Sequence, residues 1–320
     1  MDQQEITPNG SMLIRPYRYE DLNDAEFEEL SNSICTQLLG LGTISFSAGP
    51  DGGRDGKFTG KANEWPSATE PASGHFIIQA KWTSNPAASV SDSDFKKVVD
   101  KEIPKIETLV ENGELDHYLL FTNRKKPANS TQLVIDRIIA AGVKSVGIFG
   151  IEELNRHLQS NPTIWSNLGF PETSRPFRVD PTDLNDLVSS FRDAVENGGD
   201  QFDSARNFTY LKQAEKNKIN GVSADYATYM RESSLPHFAD IQTFLQDPRN
   251  AEVKSIYHDA ADDLKQKILV FRDQFDSFDK VLTYIHDLVT NANDALRTRK
   301  RFVRVFLHYM YHDCDIGQHA

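Results

Sequence analysis

Cysteine is scarce in this chain: two among 320 residues, Cys35 and Cys314. They lie far apart without CxxC spacing, which excludes a disulfide framework and a four-cysteine zinc site. Nowhere do 18 apolar residues run uninterrupted, so no segment reads as a membrane span. The opening MDQQEITPNG has no apolar core of a secretory signal. The expectation is a cytoplasmic protein with no membrane partner. Basic charge is also short, since 35 Lys and Arg face 47 Asp and Glu for a net charge of −12, and both halves of the chain share the acidity. A protein that coats nucleic acid unaided needs a surplus of cations to neutralise phosphates, and this chain lacks it. GxxxxGK[ST], GxSxG and HExxH are missing, so P-loop, serine-hydrolase and zincin readings lack their motifs.

What is present suffices for two domains, because 38% of the residues are hydrophobic and can fill real cores. Residues 1–160 alternate between helical and strand periods, the pattern of a mixed α/β domain. The stretch 21–39 reads as a helix, with Phe27, Leu30, Ile34, Leu38 and Leu41 forming an apolar stripe that Gly40 and Gly42 terminate. A short strand over 43–47, a glycine-rich turn and a second strand over 54–59 make a hairpin. Residues 61–75, KANEWPSATEPASGH, carry two prolines and read as a surface insertion. In the third strand, 75–83, alternation sends Phe76, Ile78, Ala80 and Trp82 to one face and Ile77, Gln79, Lys81 and Thr83 to the other. Further helices fall near 91–111, 130–141 and 151–159, with strands beginning at Asp116 and Val143. Residues 161–180, with three prolines, read as a linker. From 181 to 320 the pattern is entirely helical, including one long helix over 251–291, and suits a partner-binding or oligomerisation domain.

The stretch GPDGGRDGKFTG, residues 49–60, places two aspartates four apart among glycines in an already acidic chain. A glycine-rich turn followed by a solvated strand would explain it, as would a site that holds a cation. Phosphodiester hydrolysis needs a divalent metal on hard oxygen ligands, a polarised water and a cation near the attacked phosphate. Asp55 supplies an anionic oxygen and Gln79 a neutral amide oxygen. Lys81, two residues on and so on the same strand face, supplies the cation. Glu28 on the preceding helix completes the set. It shares a helix side with Cys35 and Leu39, whereas Glu29 points to the side of Ser33 and Thr36.

The segments FEEL, GPDGGRDG and IIQAKW, in this order, resemble the PD-(D/E)XK nuclease superfamily, and specifically its Mrr-like restriction endonucleases with FE, DGGxDG and QxK motifs. The resemblance spans roughly residues 20–150. It implies a restriction-endonuclease-like mixed sheet flanked by helices, and Mg²⁺-dependent cleavage of DNA, with the double-stranded form as the expected substrate and Mn²⁺ as a substitute ion. It further implies that Asp55, Gln79, the carbonyl of Ala80 and Glu28 hold the metal, and that Lys81 orients or activates the attacking water. Gln79 stands where the superfamily pattern has an acidic residue, so one anionic ligand is lost and metal affinity should lean on Glu28. Asp51 sits in the turn and is assigned an auxiliary role, as is Lys57, which faces the same way as Asp55.

Two C-terminal features invite function. The run Arg297 to Arg301 with Arg304 suits nucleic acid, but reads better as a solvated helix face paired with the acidic surface. His308, His312 and Cys314 have metal-ligand spacing, against which their apolar neighbours argue for a core histidine. The tail HYMYHDCDIGQH is similar to the tails of proteins in bacterial ABC-three-component defence systems. That similarity implies companion proteins, an ABC-type ATPase among them, with the nuclease half as their effector; an anti-phage or restriction setting and a homo-oligomer are expected.

Overall fold

A computed structural model describes residues 17–46, 54–170, 181–196, 213–292, 294–313 and 316–317. Its first half is an α/β domain around one mixed five-stranded sheet, and the described residues of its second half form helices and the turns between them.

The chain enters through a 3-10 turn at Tyr19–Asp21 and helix α1, Asp24–Leu38. Asn23 caps α1 by accepting from the Glu26 amide while the Glu26 carboxylate accepts from the Asn23 amide, a reciprocal capping box. Strands β1 (Ile44–Ser45), β2 (Gly56–Lys61) and β3 (Ser73–Lys81) form an antiparallel meander. Strands β4 (His117–Thr122) and β5 (Ser145–Phe149) then extend the sheet parallel to β3. Two crossovers join the parallel strands: α2 (Ser93–Glu111) leads to β4 and α3 (Ala128–Ala140) to β5. Crossovers of one hand between adjacent parallel strands place both helices on the same sheet face. There Phe95, Val99, Ile106, Val134 and Ile138 pack over Ile77, Tyr118 and Leu120. On the other face α1, α4 (Ile151–Ser160) and α5 (Thr163–Asn167) pack over Phe76, Ile78, Ala80 and Leu119.

Several expectations change in the structure. Leu41 does not continue the α1 stripe, because α1 ends at Leu38 and Gly40, at φ 132°, turns the chain away, leaving Leu41 94% exposed. The insertion 61–75 is more than surface: Trp65 is buried with its ring edge-on to Phe76 and His117. Of the stretch 161–180, the part through Phe170 belongs to the α/β core, where Trp165 packs against Tyr19 and Phe170.

The helical half comprises α6 (Pro181–Glu196), α7 (Gln213–Asn220), α8 (Ala224–Ser233), α9 (Phe238–Gln246), α10 (Ala251–Phe271), α11 (Phe278–Ala292), α12 (Asp294–Arg297) and α13 (Lys300–His312). The long helix expected over 251–291 is two, α10 and α11, separated by a 3-10 turn at Arg272–Gln274. Helix α13 is the centre of this half: Phe302 to Tyr311 are all buried, Arg304 and His308 among them, so neighbours surround the helix on every side.

The halves meet across polar bonds. Arg304 of α13 is buried, and its guanidinium binds the Asp21 carboxylate, the Glu20 carbonyl at 3.1 Å and the Ser84 carbonyl at 3.4 Å. Arg18 donates to Asp21 at 2.6 Å and to the Tyr229 hydroxyl at 2.8 Å, and that hydroxyl donates to Glu20 at 3.0 Å. Burial works to raise the Asp21 carboxyl, but Arg18 and Arg304 outweigh it and hold the group well below the ordinary carboxylate range. Lys125 with Asp225 and Ser84 with Asp287 extend the contact. Arg304 is therefore not part of a solvated face, which corrects the sequence reading of the basic run; Arg297 is exposed as expected.

Candidate active site

Asp55, Gln79 and Lys81 lie where β2 begins and β3 ends. The pairing of Gly56 with Ile78 puts Asp55 opposite Gln79, and the Asp55 amide donates to the Ile78 carbonyl at 3.1 Å. The Asp55 side chain folds back onto β3. Its Oδ2 accepts from the Ala80 amide at 2.6 Å and from Gln79 Nε2 at 2.5 Å, and both Asp55 and Gln79 are buried. Charge-assisted bonds of this length are the strong ones, so the carboxylate is fixed before anything binds. Of Ala80 it is the amide that engages Asp55; its carbonyl was the group expected at a metal.

Gln79 spends its amide nitrogen on Asp55, and its Oε1 is buried with no hydrogen-bond partner. Such an atom costs free energy that a cation or water would recover. An anionic oxygen and an orphaned amide oxygen side by side are hard donors, and that chemistry fits a divalent cation such as Mg²⁺. Among the described residues, however, no three His, Cys, Asp or Glu side chains gather as a metal centre would need.

Lys81 shares the sheet face of Gln79, and its ammonium lies 3.1 Å from Glu102 of α2. Glu102 also takes Lys105, one turn on, at 3.1 Å. Tyr118 of β4 lies on this face too. Its hydroxyl is buried without a partner, and burial first, then the Glu102 and Asp55 carboxylates, push the phenol well above its ordinary range.

Helix α1 approaches from the opposite face. Asn32 donates to the Asp55 carbonyl at 3.2 Å, and Glu28, half-buried, sits one turn earlier on the same side of the helix. Glu29 is exposed. Close approach of Asn32 explains Gly56: a Cβ there would lie 2.2 Å from Asn32 Oδ1. Lys57 is half-buried with its ammonium 5.6 Å from the Phe46 ring centroid, and the Arg54 guanidinium stands at 5.6 Å from the same ring. Asp51 lies outside the described residues.

Asn32, Glu102 and Tyr118 were missed in the sequence. For Glu102 a signal existed, because the buried positions of α2 are Phe95, Val99, Glu102, Ile106 and Leu109, a 4-3-4-3 spacing in which the glutamate occupies an apolar place. Asn32 and Tyr118 carry no comparable mark. At the far end of the molecule, His308 is a satisfied core histidine, in contact with the Ser234 hydroxyl at 2.7 Å and the Tyr226 hydroxyl at 3.1 Å. His312 packs on Phe238, and Cys314 lies outside the described residues.

Comparison with known proteins bears on the helical half. Residues 173–317, under half of the chain, match a family described as C-terminal domain 12 of the ABC-three component (ABC-3C) systems. No curated protein and no solved structure matches the chain. The chain thus combines a mixed-sheet α/β domain of the broad restriction-endonuclease-like class with a helical region similar to a defence-system domain. None of its helices among the described residues is long and apolar enough to cross a membrane.

Proposed function

We propose that this chain is the nuclease-like subunit of a multi-component defence complex, meeting nucleic acid at the Asp55 end of its sheet and companion proteins through its helical half. The observation that carries this is the joining, across buried ionic contacts, of a span similar to an ABC-3C domain to an α/β domain with an interlocked Asp55, Gln79 and Ala80.

The finer reading is Mg²⁺-dependent hydrolysis of DNA phosphodiesters. The ordered FE, DGGxDG and QxK motifs support it, as does the orphaned Gln79 Oε1 beside the Asp55 carboxylate. Asp55 and Gln79, with Glu28 from α1, are the residues that would hold the ion; Mn²⁺ suits the same donors. Such an ion, when bound, supplies Lewis acidity for a phosphoryl oxygen and for water. The Ala80 amide fixes the Asp55 carboxylate, and Lys81 presents a cation on the face where the phosphate would lie. An acidic chain holds DNA weakly alone, and assembly with partners concentrates it there by avidity.

A second reading, a nuclease-like domain that binds nucleic acid or scaffolds the complex without cutting it, has the better support from the geometry, because no three metal-ligating side chains gather among the described residues. Supercoiled plasmid incubated with Mg²⁺ or Mn²⁺, with the chain alone and with its companion proteins, separates the two. Nicking that disappears in Asp55→Ala supports hydrolysis. DNA binding without cleavage under every condition supports the second reading.

A further inference from the structure

Helix α2 carries Asp100, Glu107 and Glu111 on its exposed side, as charged residues on an amphipathic helix should be. Glu102 departs from that pattern. It lies in the apolar stripe between Val99 and Ile106, with only 9% of its side chain exposed. Burying a carboxylate is unfavourable unless it is paired, and two ammonium groups meet this one. The pair with Lys105 is local, i to i+3, and is available to a glutamate on any exposed part of a helix. What the buried position adds is reach to the sheet, where Lys81 lies. A second observation places Glu102 on the Gln79 face of the sheet: it lines one small cavity together with Lys81 and Tyr118.

We propose that Glu102 is the positioning residue for Lys81, holding its ammonium on the sheet face that Gln79 and Asp55 share. This rests on the hydrolytic reading, and it adds a carboxylate on the side of the sheet where Gln79 replaces an acidic residue. Glu102 acts through Lys81, so its removal matters only while Lys81 is present. Its pairing with Lys81 can be read without any cleavage.

The test has two arms, both on the full chain. In the first, Mg²⁺-dependent nicking of supercoiled plasmid is measured for Lys81→Met, Glu102→Gln, Glu102→Asp and the Lys81→Met/Glu102→Gln double variant. Glu102→Gln is expected to slow nicking about tenfold and Glu102→Asp to slow it less, while the double variant is no slower than Lys81→Met alone, the non-additivity of residues that act as a unit. Losses that multiply in the double variant, or a Glu102→Gln chain as fast as wild type, overturn the proposal. In the second arm, acetylation of Lys81 by acetic anhydride is followed by peptide mass spectrometry, with exposed Lys101 as the internal reference. Glu102→Gln is expected to raise Lys81 labelling about threefold, in line with a partly exposed ion pair. A rise confined to Lys105, with Lys81 unchanged, overturns the proposal. A wild-type chain that cuts nothing overturns the hydrolytic reading instead, and the labelling arm still decides whether Glu102 holds Lys81.

Discussion

At the seam between the two halves, Asp21 is ringed by Arg18 and Arg304, Tyr229 bridges Arg18 to Glu20, and Arg304 also binds two backbone carbonyls. At the Asp55 end of the sheet, the Asp55 carboxylate is equally well fixed, yet Gln79 Oε1 and the Tyr118 hydroxyl lie buried beside it with no partner. Both clusters are polar groups withdrawn from water, and the Asp21 and Arg304 groups of the first find their partners within the chain. Groups that satisfy one another hold a fold together, whereas orphaned acceptors beside a fixed carboxylate are what a site awaiting a ligand retains. The seam is accordingly read as structural and the sheet end as functional, and substitutions should separate stability from function along that line.

The largest effect is expected at the seam. Arg304→Met leaves Asp21 with Arg18 alone in a buried setting and should cost about 3 kcal/mol of stability in a denaturant titration. The Asp21→Asn/Arg304→Met pair should recover most of it, since no unpaired charge then remains. Gly56→Ala comes next, at about 2 kcal/mol, because the added methyl collides with Asn32 and with the Ile44 carbonyl. That loss would show that the sheet end is unforgiving in shape even where it tolerates a change of polarity.

A smaller effect follows from pH. Burial first, with Arg304 nearby, holds the His308 and His286 rings neutral, with His308 well below the ordinary histidine range and His286 below it. The unfolded chain protonates these rings below about pH 6.5 and the folded chain only at lower pH, so their contribution is full above that pH and is lost on acidification. The melting temperature should fall between about pH 7 and pH 5.5, and His308→Gln should flatten that dependence. The smallest change in stability belongs to the site. Gln79→Leu deletes one bond to Asp55 but also the orphaned oxygen, and should stay within about 1 kcal/mol of wild type.

Much of this was legible beforehand, for reasons of periodicity. Strand alternation placed Gln79 and Lys81 together on one face and Ala80 on the other, and the structure has them so. The switch from a mixed to an all-helical pattern near residue 180 was equally plain, and the helical half follows it. What failed has a common cause. Arg304 and Glu102 are charged residues on helices, and charge in a sequence reads as exposure by default. Burial of either depends on a distant partner, Asp21 for Arg304 and Lys81 for Glu102; the spacing of α2 marks Glu102 as buried, but no local pattern reveals the partner. Trp65 was hidden likewise by the prolines and small polar residues around it, since the ring it meets, Phe76, lies further along the chain in β3.

The contrast between the two clusters is tested most directly by measuring Mg²⁺-dependent plasmid nicking and unfolding free energy on the same preparations of wild type and Lys81→Met. On the hydrolytic reading nicking falls about 100-fold or more, the scale of a lost catalytic side chain, with stability kept within about 1 kcal/mol, the scale of a partly exposed ion pair. Nicking that survives Lys81→Met, or a loss of stability as large as that of Arg304→Met, would contradict it.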